Sequence, residues 1–394
     1  MFLKEIQLRS NNLKLMCIEN LVSGLIFFLP IMAVYYEGIV GSVTNVGIVI
    51  ATFSLSILIF EIPSGAIADL FGRKMAFVFG YIFWLIALVV LYFTDSMLGL
   101  IVFSIMDGIA SSLFSGADSA LIYDTLKEEE KERYYKKAIG LYHSMWPMGA
   151  AVGSIIGGYI AAIDLKLTIS LSIIPSFIAL LIITQIKEPK YHKEESKNIF
   201  KQMKKSLKIA ISSRQILILM GAGFIVWGLG EAAHWMDSLY YTFKGIDIKH
   251  FGYIAGAVFG LSSFGHIISH KVAKKIGDKA TILLAVGLWI VLFFTSTLLT
   301  GWPAVILFVI PALLYGLRAP VEEHIANAEV SSSQRATVLS IINFSKQSSM
   351  AIFAPLVGYF ADLYSLNTAF QISAIIMVLA FVIYMGLKGS HQKA

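Results

Sequence analysis

Cysteine is almost absent from this chain: Cys17 stands alone among 394 residues, so no disulfide forms within the chain and no cysteine cluster holds a metal. Charge is scarce too. Asp, Glu, Lys and Arg make up 14% of the residues, against about a quarter in soluble domains. Hydrophobic residues reach 57% and the mean hydropathy is +0.76. That balance excludes a water-soluble globular protein and a disordered chain. The apolar residues run in stretches of about twenty rather than alternating, which excludes an outer-membrane barrel. An all-α membrane protein that crosses the bilayer repeatedly is what remains. The start, Met1-Phe2-Leu3-Lys4-Glu5, carries an early acid and no small-residue cleavage site, so the first apolar run is expected to be a retained span rather than a signal peptide.

Twelve apolar stretches are long enough to cross a hydrocarbon core of roughly 30 Å. They lie near 13–36, 43–68, 74–94, 97–121, 138–163, 167–186, 216–241, 251–270, 280–300, 303–326, 336–361 and 367–387. The one long break divides the chain into an N-terminal six-helix bundle (1–187), a basic cytoplasmic linker with an amphipathic helix (188–214) and a C-terminal six-helix bundle (215–394). No stretch is left for a soluble catalytic domain. With a cytoplasmic N-terminus, 26 of the 31 Lys and Arg fall on the cytoplasmic side and three (Lys166, Lys244, Lys249) outside. The positive-inside rule therefore places both termini in the cytoplasm of a cell (inner) membrane protein. The net charge of +6 follows from this topology and points to anionic lipid rather than nucleic acid.

The most informative pattern is where charge is missing. Spans three, six, nine and twelve hold no ionisable residue beyond their cytoplasmic ends, whereas the others hold Glu19, Glu61, Asp107, Asp118, Glu231, His234, His266, Arg318, Glu322, Glu323, His324 and Lys346. An ionisable group facing lipid costs at least about 2.5–3.5 kcal/mol. Every third helix is thus free to face lipid while the rest enclose something polar. This predicts four three-helix units around a central cavity, two pseudo-symmetric bundles in all, as in secondary transporters.

The loop after span two reads Gly65-Ala-Ile-Ala-Asp69-Leu-Phe-Gly72-Arg73-Lys74. Gly65 and Asp69 share a helical face, so Gly65 is expected to admit a neighbouring helix. Gly72 suits a tight turn, and Arg73 and Lys74 hold the loop in the cytoplasm. This string resembles motif A of the major facilitator superfamily, and the topology resembles that family over the whole chain. The resemblance implies that Asp69 latches onto the start of the eleventh helix, where Ser331-Ser-Ser-Gln334 reads as a capping box. The second-half copy, Lys274 to Lys279, has Lys where Asp69 would fall, so the latch is expected in the first half only. In span five, Gly140, Gly149, Gly153, Gly157 and Gly158 are similar to motif C of the drug:proton antiporters, with Ser154 in place of the family's proline. Small residues at that spacing also read as plain helix packing, and either way predict a close contact between spans five and eight. The family's span-four arginine is missing: Ser104 stands there, with Asp107 nearby.

Asp107 lies about ten residues, roughly 15 Å, into its span, with Asp118 three turns on and expected on the same face. Asp107, Glu231, Glu61, Glu19 and His234 are the candidates for carrying a proton, and Trp227, Arg318, Glu322 and Lys346 those for lining a substrate cavity. Glu231, His234 and Trp227 share a stripe that suits a cationic aromatic substrate or a proton relay, and reads equally as a structural pair near the surface. Arg318 and Glu322, at i and i+4, read as an ion pair bracing the helix around Pro320. Glu61 precedes Pro63, where a kink is expected. His266 and His270 have zinc-helix spacing, but Ile267 stands where a general-base glutamate belongs, and no metal site or cofactor is expected. The resemblance implies a monomeric secondary transporter: proton-coupled efflux of small amphipathic compounds, cationic ones among them. Proton-coupled uptake of a nutrient such as a sugar, nucleoside or organic acid is the alternative, with an intramembrane enzyme or a sensor further behind.

Overall fold

The computed structural model describes residues 10–189, 212–330 and 335–388, with backbone alone at 335–337. Every regular element among them is helical. The first half runs α1 (Asn11–Ser23), α2 (Met32–Val40), α3 (Val43–Phe71), α4 (Arg73–Phe93), α5 (Met97–Phe114), α6 (Ala117–Glu128), α7 (Tyr135–Ala161) and α8 (Leu165–Thr184). The second runs α9 (Arg214–Trp235), α10 (Asp237–Phe243), α11 (Phe251–Ile276), α12 (Asp278–Leu298), α13 (Gly301–Val309), α14 (Pro311–Ala328), α15 (Arg335–Leu363) and α16 (Leu366–Met385). Short polar residues start many of them: Ser10, Ser96, Asp164, Ser213 and Ser365 each accept a bond from a backbone N–H in the first turn.

Nine described helices are long and apolar enough to cross a membrane by length and composition. The other three expected spans fall on α1–α2, α7 and α15. The last holds the polar run Ser345-Lys-Gln-Ser-Ser349, and the first is in pieces. That break corrects the expectation of a continuous first span, and it recurs. Spans four, seven and ten are interrupted at Ser115–Gly116, Met236 and Ile310. The helices that open each three-helix unit are the interrupted ones. Gly116, at φ +73°, takes a left-handed conformation that side chains resist, so Asp107 and Asp118 lie on separate helices and the single shared face expected for them is lost.

The charge-free helices behave as the pattern predicts. α4 exposes Ile82, Ile86, Val89 and Phe93; α12 exposes Leu284, Leu288 and Val291; α16 exposes Ile375, Leu379 and Val382. Each set recurs at helical spacing, which leaves an apolar stripe for acyl chains.

Contacts group the chain into two compact units: Met1–Ile31, Leu55–Glu194 and Ile248–Gly256 in unit 1, and Met32–Ser54, Glu195–Asp247 and Ala257–Ala394 in unit 2. Each unit therefore takes a short segment from the other sequence half. Their internal pairings repeat. α1 packs on α7 and α8, and α4 on α5 and α8, in unit 1; α9 packs on α15 and α16, and α12 on α14 and α16, in unit 2. Polar contacts repeat as well. Lys74 Nζ donates to Thr184 O at 2.7 Å, and Lys279 Nζ to Met385 O at 2.6 Å. Lys187 N donates to Asn12 Oδ1 at 3.1 Å, and Lys388 N to Gln215 Oε1 at 3.4 Å.

Glycines set the closest approaches. A Cβ on Gly149, Gly153 or Gly157 would collide with the backbone of Leu21, of Leu25–Ile26 or of Phe27, so this stripe of α7 packs on the interrupted first span. Gly158 continues the stripe onto Lys249 and Gly252, which is the expected contact between spans five and eight. Gly140 meets nothing within 4 Å and stands outside the stripe. In unit 2, Gly358 and Gly47 bring α15 against the start of α3, and Asp362 accepts bonds from Val43 N, Thr44 N and Thr44 Oγ1 at 2.8, 2.8 and 2.5 Å.

Candidate functional site

Unit 2 holds a cavity of about 220 Å³ between α9, α11, α12, α13 and α14. Phe259, Trp289, Phe293, Phe308 and Tyr315 make its walls largely aromatic, and Glu231, His234 and Ser262 supply polar groups. Few polar groups in an aromatic cleft is the usual make-up of a small-molecule site. Glu231 and His234 thus share a cavity, as their spacing predicts. They do not form an ion pair with each other: Nδ1 of His234 lies 3.7 Å from Oδ2 of Asp237, while Glu231 takes a hydrogen bond from the Trp235 indole one turn on. Trp227, expected in the cavity, lies behind its wall instead. Its ring packs on Tyr315 at 5.8 Å between centroids, and Nζ of Lys346 sits 4.8 Å from its centroid.

Arg318 and Glu322 form the expected i, i+4 pair, Nη1 to Oε1 at 3.0 Å, both buried at 2% and 8% exposure. Tyr384 of α16 completes it: its hydroxyl accepts from Arg318 Nη1 at 3.1 Å and donates to Glu322 Oε1. Trp289, a cavity wall, lies under the guanidinium at 5.6 Å. The pair therefore braces the wall of the cavity rather than lining it.

Unit 1 differs in charge. Glu19 is 2% exposed and accepts a bond from the Tyr81 hydroxyl; its Oε2 has no partner among the described residues. Asn20, beside it, donates to Tyr142 O at 2.7 Å. Asp107 Oδ1 accepts from Ser111 Oγ at 3.5 Å. Neither acid has an ion-pair partner among the described residues. Glu61 is exposed on α3, and Pro63 sits inside that helix without ending it.

The turn before α4 is built as its residues predict in part. Gly72 has φ +98°, Asp69 pairs with Arg73 at 3.2 Å, and the matching Gly277 has φ +87°. A Cβ on Gly65, however, would meet nothing within 4 Å among the described residues, so the close helix approach expected there is absent. Ser331–Gln334 and the expected linker helix lie outside the described residues. A glycine cap has no side chain to offer the first N–H groups of α4. Glu188 supplies it, accepting from Arg73 N at 2.7 Å and Lys74 N at 2.8 Å.

The sequence matches the Major Facilitator Superfamily over residues 16–328 and 245–393. The chain belongs to that superfamily. This facilitator is a multi-pass integral membrane transporter of small molecules, not an enzyme. Among its relatives, the MFS-type transporter MJ1560 of Methanocaldococcus jannaschii is 20% identical over 371 residues, covering 91% of this chain and 93% of the relative. Multidrug resistance protein 2 of Bacillus subtilis is 24% identical over 388 residues, covering 94% and 93%. The crystal structure of the nucleoside transporter NupG superposes with a TM-score of 0.80 at 12% identity, covering 96% of this chain and all of that one, which speaks to the fold.

For a facilitator, interrupted helices around the cavity carry a physical meaning. An unwound turn frees backbone groups where a substrate or ion binds, and such turns survive at membrane depth only beside protein or water. Sequence reasoning missed Asp237, Tyr384, Glu188 and the aromatic walls. Asp237 was within reach, three residues from His234; the others come from elements far away in the chain.

Proposed function

We propose that this facilitator is a proton-coupled exporter of small amphipathic compounds, with protons handled in unit 1 and substrate in the cavity of unit 2. The observation that carries it is the unequal charge of the two. Among the described residues Glu19 and Asp107 have no basic partner, which leaves a proton as their counter-charge, and an unpaired carboxylate is costly to bury. The cavity, by contrast, offers an acid, an imidazole and aromatic walls, which suits an amphipathic cation. The resemblance of the α7 glycines to motif C and the likeness to a multidrug resistance protein support export. Both termini are proposed to be cytoplasmic, and the sequence halves 1–187 and 215–394 to rock in alternation about the site.

The test is a proton-flux assay in everted vesicles against a panel of cationic and neutral compounds. In the wild type, a substrate is expected to collapse an imposed proton gradient. In Asp107→Asn or Glu19→Gln that response is lost while substrate exchange, which needs no net proton movement, persists. Unchanged coupling in both variants would remove these acids from the proton path. Substrate leaving the everted vesicles together with protons would replace export with nutrient uptake.

A further inference from the structure

A row of titratable side chains in unit 1 leads from an accessible surface to a buried acid. His143 of α7 places Nδ1 4.0 Å from Oδ2 of Asp118 on α6, and Asp118 is in turn a neighbouring charge of Glu19 on α1. The three helices meet in one packed core that holds Tyr142, Ala117 and Cys17, each within two residues of one of them. Tyr142 stands by both acids, and its carbonyl accepts from Asn20. Exposure falls along the row: 55% for the His143 side chain, 20% for Asp118 and 2% for Glu19. Counted from Tyr135, Glu128 and Asn11, the helix ends proposed to be cytoplasmic, His143 and Glu19 lie about 12 Å deep and Asp118 about 15 Å. The three are thus level in the bundle. On α7, Lys136, Lys137, Gly140, His143 and Ser144 are exposed at helical spacing. That stripe is polar as far as the helix end, so it suits water and not acyl chains.

A buried acid exchanges protons with water only through groups that carry them. We infer that Asp118 and His143 are the proton relay between Glu19 and the cytoplasm. This rests on the reading of Glu19 as a proton carrier and adds its route. On inward release the Glu19 carboxyl gives its proton to the Asp118 carboxylate, and Asp118 passes it to Nδ1 of the neutral imidazole. The imidazolium then sheds a proton to water, so one proton leaves and Glu19 remains as a carboxylate. The side chains are turned for this. Ser119 Oγ donates to Asp118 Oδ1 at 3.1 Å, which leaves Oδ2 towards His143. Tyr81 occupies one oxygen of Glu19, and Oε2 has no partner among the described residues. The other titratable groups facing Glu19 are Cys17 of α1, Tyr81 of α4 and Tyr142 of α7, all weaker acids than a carboxyl group. Helix α8 also packs on α1, and its one ionisable residue, Lys166, lies at its far end. His143 is therefore the base through which the row meets water.

The test needs no substrate. The purified full chain in lipid nanodiscs is stepped upward in pH, and the carboxyl stretch of Glu19 is followed by time-resolved infrared absorption. Its band is assigned as the one that Glu19→Gln removes. A positioned proton carrier contributes a factor of about 10²–10⁴ to a proton transfer. His143→Gln is therefore expected to slow the loss of that band about 100-fold, and added imidazole to restore the rate. Asp118→Asn is expected to slow it as much. Loss of the band at the wild-type rate in either variant would overturn the relay and leave Glu19 standing as a proton carrier. A slowed His143→Gln protein that imidazole does not restore would also overturn it, since that is what a structural histidine gives. A wild type with no pH-sensitive Glu19 band would overturn the relay and the reading of Glu19 together.

Discussion

Glu322→Ala is expected to lose about 3–5 kcal/mol of stability. Arg318 is 2% exposed, and its guanidinium is neutralised by Glu322, with the Tyr384 hydroxyl bridging the two. Removing the carboxylate leaves a buried cation without a counter-charge, and the cost is that of desolvating an unpaired ion rather than of one lost contact. Taking both charges away is far milder. The double variant Arg318→Met, Glu322→Leu is expected to recover most of the loss, because apolar side chains of similar bulk need no partner. The midpoint of thermal unfolding in detergent reads both. A Glu322→Ala protein as stable as the wild type would mean that water reaches the guanidinium, and the bracing role given to this cluster would fail.

The second large effect belongs to Gly157. A Cβ there would stand 1.9 Å from the carbonyl oxygen of Phe27, in the interrupted stretch of the first span. The obstacle is backbone, so no side chain can swing aside. Gly157→Ala is expected to destabilise by about 1–3 kcal/mol and to lower transport by pushing the Leu25–Phe27 turn away from α7. Gly140 of the same helix provides the control. With nothing within 4 Å of its Cβ position, Gly140→Ala should be neutral or stabilising by roughly 0.5–1 kcal/mol, the ordinary helical preference for alanine. Equal effects at the two positions would show that the α7 stripe is not a packing surface.

These two sites also mark how far the residues alone reach. The absence of charge from every third span is a linear property, set by what each helix can turn to lipid, and it carried the architecture. The i, i+4 pair of Arg318 and Glu322 was legible for a similar reason, since helical spacing fixes it. Tyr384, which completes that pair from 62 residues further on, was not. The interruptions divide the same way. Gly116 and Pro311 signal theirs in the sequence, whereas Met236 has no local cause. There the chain turns where Ser238 Oγ accepts a bond from Val34 N, at 3.3 Å and 204 residues away. By sequence Glu188 belongs to a basic linker. Its role as the cap of α4 follows from a need that the sequence did state, that a helix opening on Gly72 must find its acceptor elsewhere.

The proposed transport rests on polar side chains that enclose a hydrated path while every third helix turns an apolar face to lipid. Cysteine labelling tests it most directly, helped by the burial of the native Cys17. Asp107→Cys, Glu231→Cys and Lys346→Cys are predicted to react with a charged, water-soluble thiol reagent in membranes, and Ile86→Cys and Leu379→Cys to stay unlabelled. Labelling of the α4 and α16 positions with protection of the other three would contradict that arrangement.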